Sequence, residues 1–361
     1  MTSICSGHHL CYWRASVPRQ SFPSFEHELL DSLKPYLNYH KSPRYPIAIG
    51  DDAAIRVCGA REKLILTVDT FVQNVHFNLA SMTFEEVGYK AMAINLSDCA
   101  AMAAVPDGAL VQIVFPKNQA VENIISAMKR LYKGLNEACR QWDFPIIGGN
   151  LSIGPCWMID ITLVGRAGKG GRILFRSGAK HGDSLWVTGF PGESAAGLAC
   201  LKKWGSGRRV PKQYASLVRR HVHPVPRIEI GRALGKNLQV HALIDISDGI
   251  SKDSRTLAYE NRLGILLDDE PGCVSCLTRQ LARHLNKEWR EWYLHGGEDY
   301  ELLFAAAPDF DPSALAAKTG IPLLRIGAFS RLFKGVYLHQ KNNRPIRLKQ
   351  GGWDHLRKAL P

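Results

Sequence analysis

The chain has 361 residues, 45% hydrophobic and 22% charged, the make-up of a globular protein long enough for two domains. No apolar run approaches the roughly 20 residues of a membrane helix; the longest, Ala91 to Val105, is broken by Asp98. A formal charge of +13 admits a polyanionic partner, yet the basic stretch Lys202, Lys203, Arg208, Arg209, Lys212, Arg219 and Arg220 carries no RNA-binding or zinc-finger signature, so neither nucleic acid nor a membrane is the expected partner.

Residues 1–24 hold no acid and lack the apolar core of a secretory signal, so they read as a disordered extension or an upstream start. Phe25 to Leu37 has helical spacing, ended by Pro43 and Pro46. Pro46 to Ile49 is a short strand candidate running into Gly50-Asp51-Asp52, and Leu64 to Val68 is a stronger one, followed by Asp69-Thr70. Phe84 to Ala104 turns helical, with Pro106 as its stop signal. Leu110 to Phe115 is a strand, Val121 to Trp142 a long amphipathic helix, and Pro145-Ile146-Ile147 meets Gly148-Gly149-Asn150 before a strand at Trp157 to Val164.

A glycine-rich, basic linker at Gly165 to Gly171 opens the second half. Ser184 to Thr188 reads as a strand, Ser194 to Lys203 and Arg227 to Asn237 as helices. Ala242-Leu243-Ile244 leads into Asp245-Ile246-Ser247-Asp248-Gly249, and Leu302 to Ala306 is a strand after Gly296-Gly297-Glu298-Asp299. Both halves mix strands and helices, so the fold class is α/β (α+β).

Nine cysteines, an odd number without a dense framework, suggest free thiols in a reducing compartment, with the cytoplasm as the default. Cys273 and Cys276 form one C-x-x-C, but no second ligand pair stands at zinc spacing and Pro271-Gly272 reads as a turn, so no metal or redox role is assigned.

The chemistry lies in where the acids stand. Asp51, Asp52, Asp69, Asp245 and Asp248 each follow an apolar strand, and strand ends gather distant residues on one rim of a sheet. Asp98 sits in an otherwise small and apolar helix, with Asn95 one turn earlier; an unpaired carboxylate there would cost several kcal/mol, so a cation is expected beside it. Oxygen ligands without histidine or thiolate suit magnesium, which binds a few carboxylates plus phosphate oxygens. No G-x-x-x-x-G-K-[ST] phosphate loop and no H-R-D or D-F-G set occurs, so metals must do the phosphate-cradling.

Six motifs come in order: Gly50-Asp-Asp-Ala-Ala54; Val68-Asp-Thr70 with Val75-His-Phe77; Asn95-Leu-Ser-Asp98 with Ala100-Ala-Met-Ala103; Arg176-Ser-Gly-Ala-Lys180 with Gly182-Asp183; Asp245-Ile-Ser-Asp-Gly249; and Gly296-Gly-Glu-Asp-Tyr-Glu-Leu302. Together they resemble thiamine-monophosphate kinase, of the superfamily named for aminoimidazole ribonucleotide synthetase, from about Phe25 to the C-terminus.

The resemblance implies an ATP- and magnesium-binding N-terminal domain over 25–165, a C-terminal domain over 166–361, and a homodimer that pairs N-terminal sheets. It implies phosphorylation of thiamine monophosphate to thiamine diphosphate by ATP. By position, Asp52, Thr67, Val68, Asp69, Asp98, Asn150, Asp245 and Asp248 resemble the magnesium ligands, with Asp69, Asp98 and Arg176 catalytic. Gly149, Asn150, Arg176 and Ser247 resemble the nucleotide contacts, and His76, Glu298 and Trp353 the acceptor site.

The sequence departs from the pattern at Asn150 for an aspartate, Val68 for a hydroxyl residue and Gln73-Asn74 for Glu-Gly, which implies weaker binding of one metal. Alternatives are a catalytically weakened nucleotide-binding homologue, another ATP-dependent enzyme of the superfamily, and a basic nucleic-acid binder. Neither the cysteine-lysine loop of a selenophosphate synthetase nor the C-terminal cysteine of a hydrogenase maturation protein is present.

Overall fold

Two mixed sheets organise the computed structural model, which describes residues 24–33, 43–47, 50–59, 62–117, 119–205, 209–269, 271–339 and 344–354. The expected extension, apart from Ser24, lies outside the described residues, as do Ala48, Ile49 and Arg208. After α1 (Phe25–Leu33), the first sheet takes β1 (Ala54–Val57), β2 (Lys63–Val72), β3 (Ala104–Pro116), β4 (Ile146–Gly154) and β5 (Met158–Ala167). Their order is β1-β2-β5-β3-β4, parallel at β3/β4 and antiparallel elsewhere. The parallel pair needs a crossover, which α3 (Val121–Gln141) supplies.

The second sheet runs β12 (Ile346–Arg347), β11 (Gly335–His339), β8 (Gly264–Asp268), β10 (Leu323–Ser330), β6 (Ser184–Thr188), β9 (Leu302–Ala306) and β7 (Val240–Asp245). Around it lie α4 (Glu193–Trp204), α5 (Ala215–Val222), α6 (Ile228–Lys236), α7 (Ile250–Glu260), α8 (Cys276–His284), α9 (Trp289–His295) and α10 (Ser313–Thr319).

The helix α2 (Phe84–Ala101) joins the halves. Thr83 and Glu86 close a capping box at its start. One side packs on β2, β3, β5 and α3, and the other on α6 and β7. Enclosed all round, it has no polar face to show, which explains its sequence of small and apolar residues. Close helix approach fixes two glycines: a Cβ on Gly134 of α3 would stand 1.9 Å from the Glu85 carbonyl oxygen, and one on Gly231 of α6 2.3 Å from that of Ala100.

Three sequence expectations are corrected. The helix ends at Ala101 rather than Ala104, because Ala103 turns left-handed (φ 55°) into β3. Pro106 lies inside β3, where a register shift between Pro106 and Gly108 accommodates its missing N–H. Asp69 is not at a strand end: β2 continues to Val72, paired with β5 throughout, and holds Asp69 in its interior. No disulfide joins any of the described cysteines, Cys273 and Cys276 included.

Candidate active site

Asp52, Asp98 and Asp245 converge from a loop, a helix and a strand, each placing one carboxylate oxygen within 4.8 Å of the others. The framework explains the convergence. Alternation along β2 turns Thr67 and Asp69 to the face covered by α2, and the Thr67 hydroxyl donates to Asp98 Oδ2. One residue before Asp98, Ser97 donates across to the second sheet, its Oγ 2.6 Å from Asp245 Oδ2. Asp245 ends β7, the edge strand against α2.

Arg176 is the cation that faces this cluster. Its guanidinium donates to Asp52 Oδ1 at 2.7 Å, and its backbone N–H to the Asp51 carboxylate at 3.3 Å. One guanidinium does not offset the acids. Burial, then Asp69, Asp245 and Asp52, hold the Asp98 carboxyl well above the usual carboxylate range. Burial and Asp52 raise Asp245 to about 8, and the same two causes raise Asp51 to about 7. Burial also raises Asp52 against the pull of Arg176, and Asp52 Oδ2 is buried with no hydrogen-bond partner. An all-oxygen donor set with surplus negative charge and an orphaned buried oxygen fits a hard divalent cation such as magnesium.

Asp248 lies further out, its carboxylate 2.8 Å from Lys252 Nζ. Its carbonyl accepts the Trp353 N–H at 3.0 Å, and the Ser247 carbonyl accepts that of Glu298 at 2.7 Å, so the three acceptor and nucleotide candidates share one loop platform. Glu298 and Tyr300 are left-handed (φ 65° and 50°), a conformation that costs a non-glycine residue about 1 kcal/mol or more and persists only when the surroundings hold it.

The acids of the Gly296–Leu302 motif divide their tasks. Glu298 reaches α2, where its Oε1 lies 2.8 Å from Lys90 Nζ. Asp299 accepts the Gly192 and Ser194 N–H groups at the start of α4. Glu301 is buried against Arg227 and the Thr188 hydroxyl. Of these, only Glu298 faces the candidate acceptor side. On that side His76 caps its own turn, Nδ1 accepting the Val72 N–H at 3.0 Å, and its ring stacks on Phe71 at 5.7 Å.

The structure does not bring Gly149 and Asn150 to this cluster within one chain. The register aligns Asp69 with Ile161, Val111 and Gly149, which puts Gly149 three strands away, about 14 Å across the sheet. Asn150 pairs beside Gln112 and Asp160, on the opposite face from Asp69. The Val68 side chain is on that outer face too, 59% exposed, which leaves only its backbone carbonyl as a ligand beside Asp69. Gly148 and Gly149 both lie in β4, and a Cβ on Gly149 would meet the Val111 carbonyl oxygen at 1.8 Å.

Comparison with known proteins places this geometry. The family pattern described as AIR synthase related protein, N-terminal domain, matches residues 50–167. The thiamine-monophosphate kinase of Bacillus subtilis (strain 168) is 32% identical over 343 residues, covering 92% of this chain and 99% of that protein. The chain belongs to the thiamine-monophosphate kinase family. The family member of Escherichia coli (strain K12) is 34% identical over 313 residues, covering 86% of this chain and 91% of its own. The solved structure of AaThiL complexed with AMPPCP and TMP superposes with a TM-score of 0.77 at 30% identity, over 91% of this chain and 96% of that one.

Within the family framework, sequence reasoning missed Ser97 and Lys90. Ser97 lies inside the Asn95–Asp98 motif, and its place one residue before Asp98 is the signal for it. Lys90, a charge in an apolar helix, was legible in the way Asp98 was.

Proposed function

We propose that this chain transfers the γ-phosphoryl group of ATP to the phosphate of thiamine monophosphate, yielding thiamine diphosphate and ADP. A bond forms between an acceptor phosphate oxygen and the γ-phosphorus while the bond to the β-phosphate oxygen breaks. The convergence of Asp52, Asp98 and Asp245 beside Arg176 carries this reading. Asp52, Thr67, Asp69, Asp98, Asp245 and Asp248 would hold magnesium, and Arg176 and Ser247 the nucleotide. Bound magnesium supplies charge neutralisation and in-line placement of the two polyanions.

The acceptor phosphate, with a second pKa of about 6, is already mostly dianionic at neutral pH and needs no general base. The obstacle is repulsion, about 4 kcal/mol per pair of unit charges at about 4 Å and an effective dielectric of about 20. Arg176 offsets part of it from its place against Asp52. Thr67 and Ser97 orient the carboxylates through their hydroxyls. His76, Glu298 and Trp353 receive the acceptor, Trp353 offering a ring face to the cationic thiazolium.

The reading includes a homodimer and a division into domains near residue 165. Val68 and Leu110 expose apolar side chains on the outer face of the first sheet, and Ile147, Leu151 and Ile153 do so along its edge strand. A two-fold pairing of these surfaces would cover them and let Gly149 and Asn150 serve the nucleotide across the interface. Free cysteines support a cytoplasmic placement.

Incubation of the purified protein with ATP, magnesium and thiamine monophosphate tests the function, read as thiamine diphosphate and ADP formed in equal amounts. Nucleotide binding without product would favour the second reading, a catalytically weakened homologue, which Asn150 and Val68 motivate.

A further inference from the structure

Lys90 is fully buried on α2, two turns before Asp98 on the same helix. Lysine is almost never fully buried unless paired, and a charge enclosed this way costs several kcal/mol that a single partner must offset. The partner is Glu298 Oε1, at 2.8 Å. The ammonium also stands 5.9 Å from the centroid of Phe71, the ring on which His76 stacks. Lys90 therefore contacts Glu298 from the second half directly and lies over Phe71, the ring that supports His76, from the first.

The other carboxylate oxygen, Oε2, is differently placed. His221 Nδ1 is 3.6 Å from it, beyond hydrogen-bond range, and lies closer to Ser194 Oγ at 3.1 Å. The Glu298 side chain keeps 26% of its surface exposed. One oxygen is thus fixed inward by the lysine, while the carboxylate still has acceptor capacity on its accessible side.

We infer that Lys90 is a positioning residue for the acceptor: it anchors Glu298 by one oxygen, holding the left-handed loop in place so that the carboxylate meets the cationic, amine-bearing ring system of thiamine monophosphate. The inference rests on the acceptor reading given above. A merely structural lysine would affect both substrates alike, or only stability. A positioning lysine affects the acceptor alone, and does so through Glu298.

Steady-state kinetics on Lys90→Met, Glu298→Gln, the double variant and Lys90→Arg separate the two. Lys90→Met is expected to raise KM for thiamine monophosphate about tenfold or more while KM for ATP stays within about threefold. The double variant is expected to be no worse than the worse single one, because both act through one carboxylate, and Lys90→Arg to recover part of the loss. Unchanged acceptor KM in Lys90→Met, equal shifts for both substrates, or multiplying effects in the double variant would overturn the inference. If Lys90→Met does not fold, the double variant, which buries no lone charge, decides: folded with wild-type acceptor KM, it overturns the proposal. Wild-type protein that makes no thiamine diphosphate refutes the proposed function itself, a result distinct from a variant that behaves like wild type.

Discussion

Asp245→Asn removes one charge from the cluster at nearly constant shape and leaves an oxygen for the Ser97 hydroxyl. At 4.8 Å, the outer limit of the separations among Asp52, Asp98 and Asp245, two unit charges repel by about 3.5 kcal/mol at an effective dielectric of about 20. Three full charges would cost about 10 kcal/mol, comparable with the whole stability of a typical domain. Without a cation the cluster therefore retains protons, as the raised carboxyl of Asp245, at about 8, indicates. The substitution should stabilise the metal-free protein by on the order of 1–3 kcal/mol, or about 2–6 °C in Tm. It should also shrink the magnesium-induced rise in Tm and lower turnover about 100-fold or more. Thermal melts near pH 8 in chelator and in magnesium, alongside turnover, supply the readouts. A variant that melts below wild type in chelator, or keeps the full magnesium shift, would refute the electrostatic account.

Asp69→Ala and Asp98→Ala should each abolish turnover while circular dichroism remains that of wild type; near-normal rates would count against both as ligands. For metal-free protein, folding raises Asp51 from 3.8 to about 7 and Asp245 from 3.8 to about 8, so the folded state binds more protons across that window. Their contribution to stability therefore falls as pH rises between those values, and magnesium should flatten the decline; identical Tm slopes with and without the ion would contradict this. Asn150→Asp should lower the magnesium concentration needed for half-maximal activity several-fold, and no change would argue that this position is remote from the metals. Leu110→Glu, on the outer face of the first sheet, should convert a dimer to monomer in sedimentation and cost most of the activity; an unchanged sedimentation coefficient would remove that face from the interface.

Much of the fold was legible where local signals and tertiary demands agree. Leu302 to Ala306 is a strand with the expected bounds, and Val121 to Gln141 a helix, because continuous burial and clean amphipathicity leave one solution. Boundaries failed where the sheet overrode local chemistry. Pro106 reads as a stop but enters β3 through a bulge, and the helix expected to reach Ala104 ends at Ala101. In the site, Asp52, Asp98 and Asp245 stood out as acids in apolar surroundings. Which face Asn150 takes was not legible, since it depends on the pairing register of a strand beginning at Ile146. Lys90 stood out as a charge in an apolar helix, but its partner did not, because Glu298 lies in the other half of the chain.

The helix shared by the two halves has a mechanical consequence. Through Thr67, Ser97 and Lys90, α2 and its immediate supports tether Asp98, Asp245 and Glu298 to one rod. A hinge rotation of one sheet against the other would have to break the contacts of the carboxylate cluster and of the Glu298 loop together. Melting should therefore proceed as a single cooperative event rather than half by half.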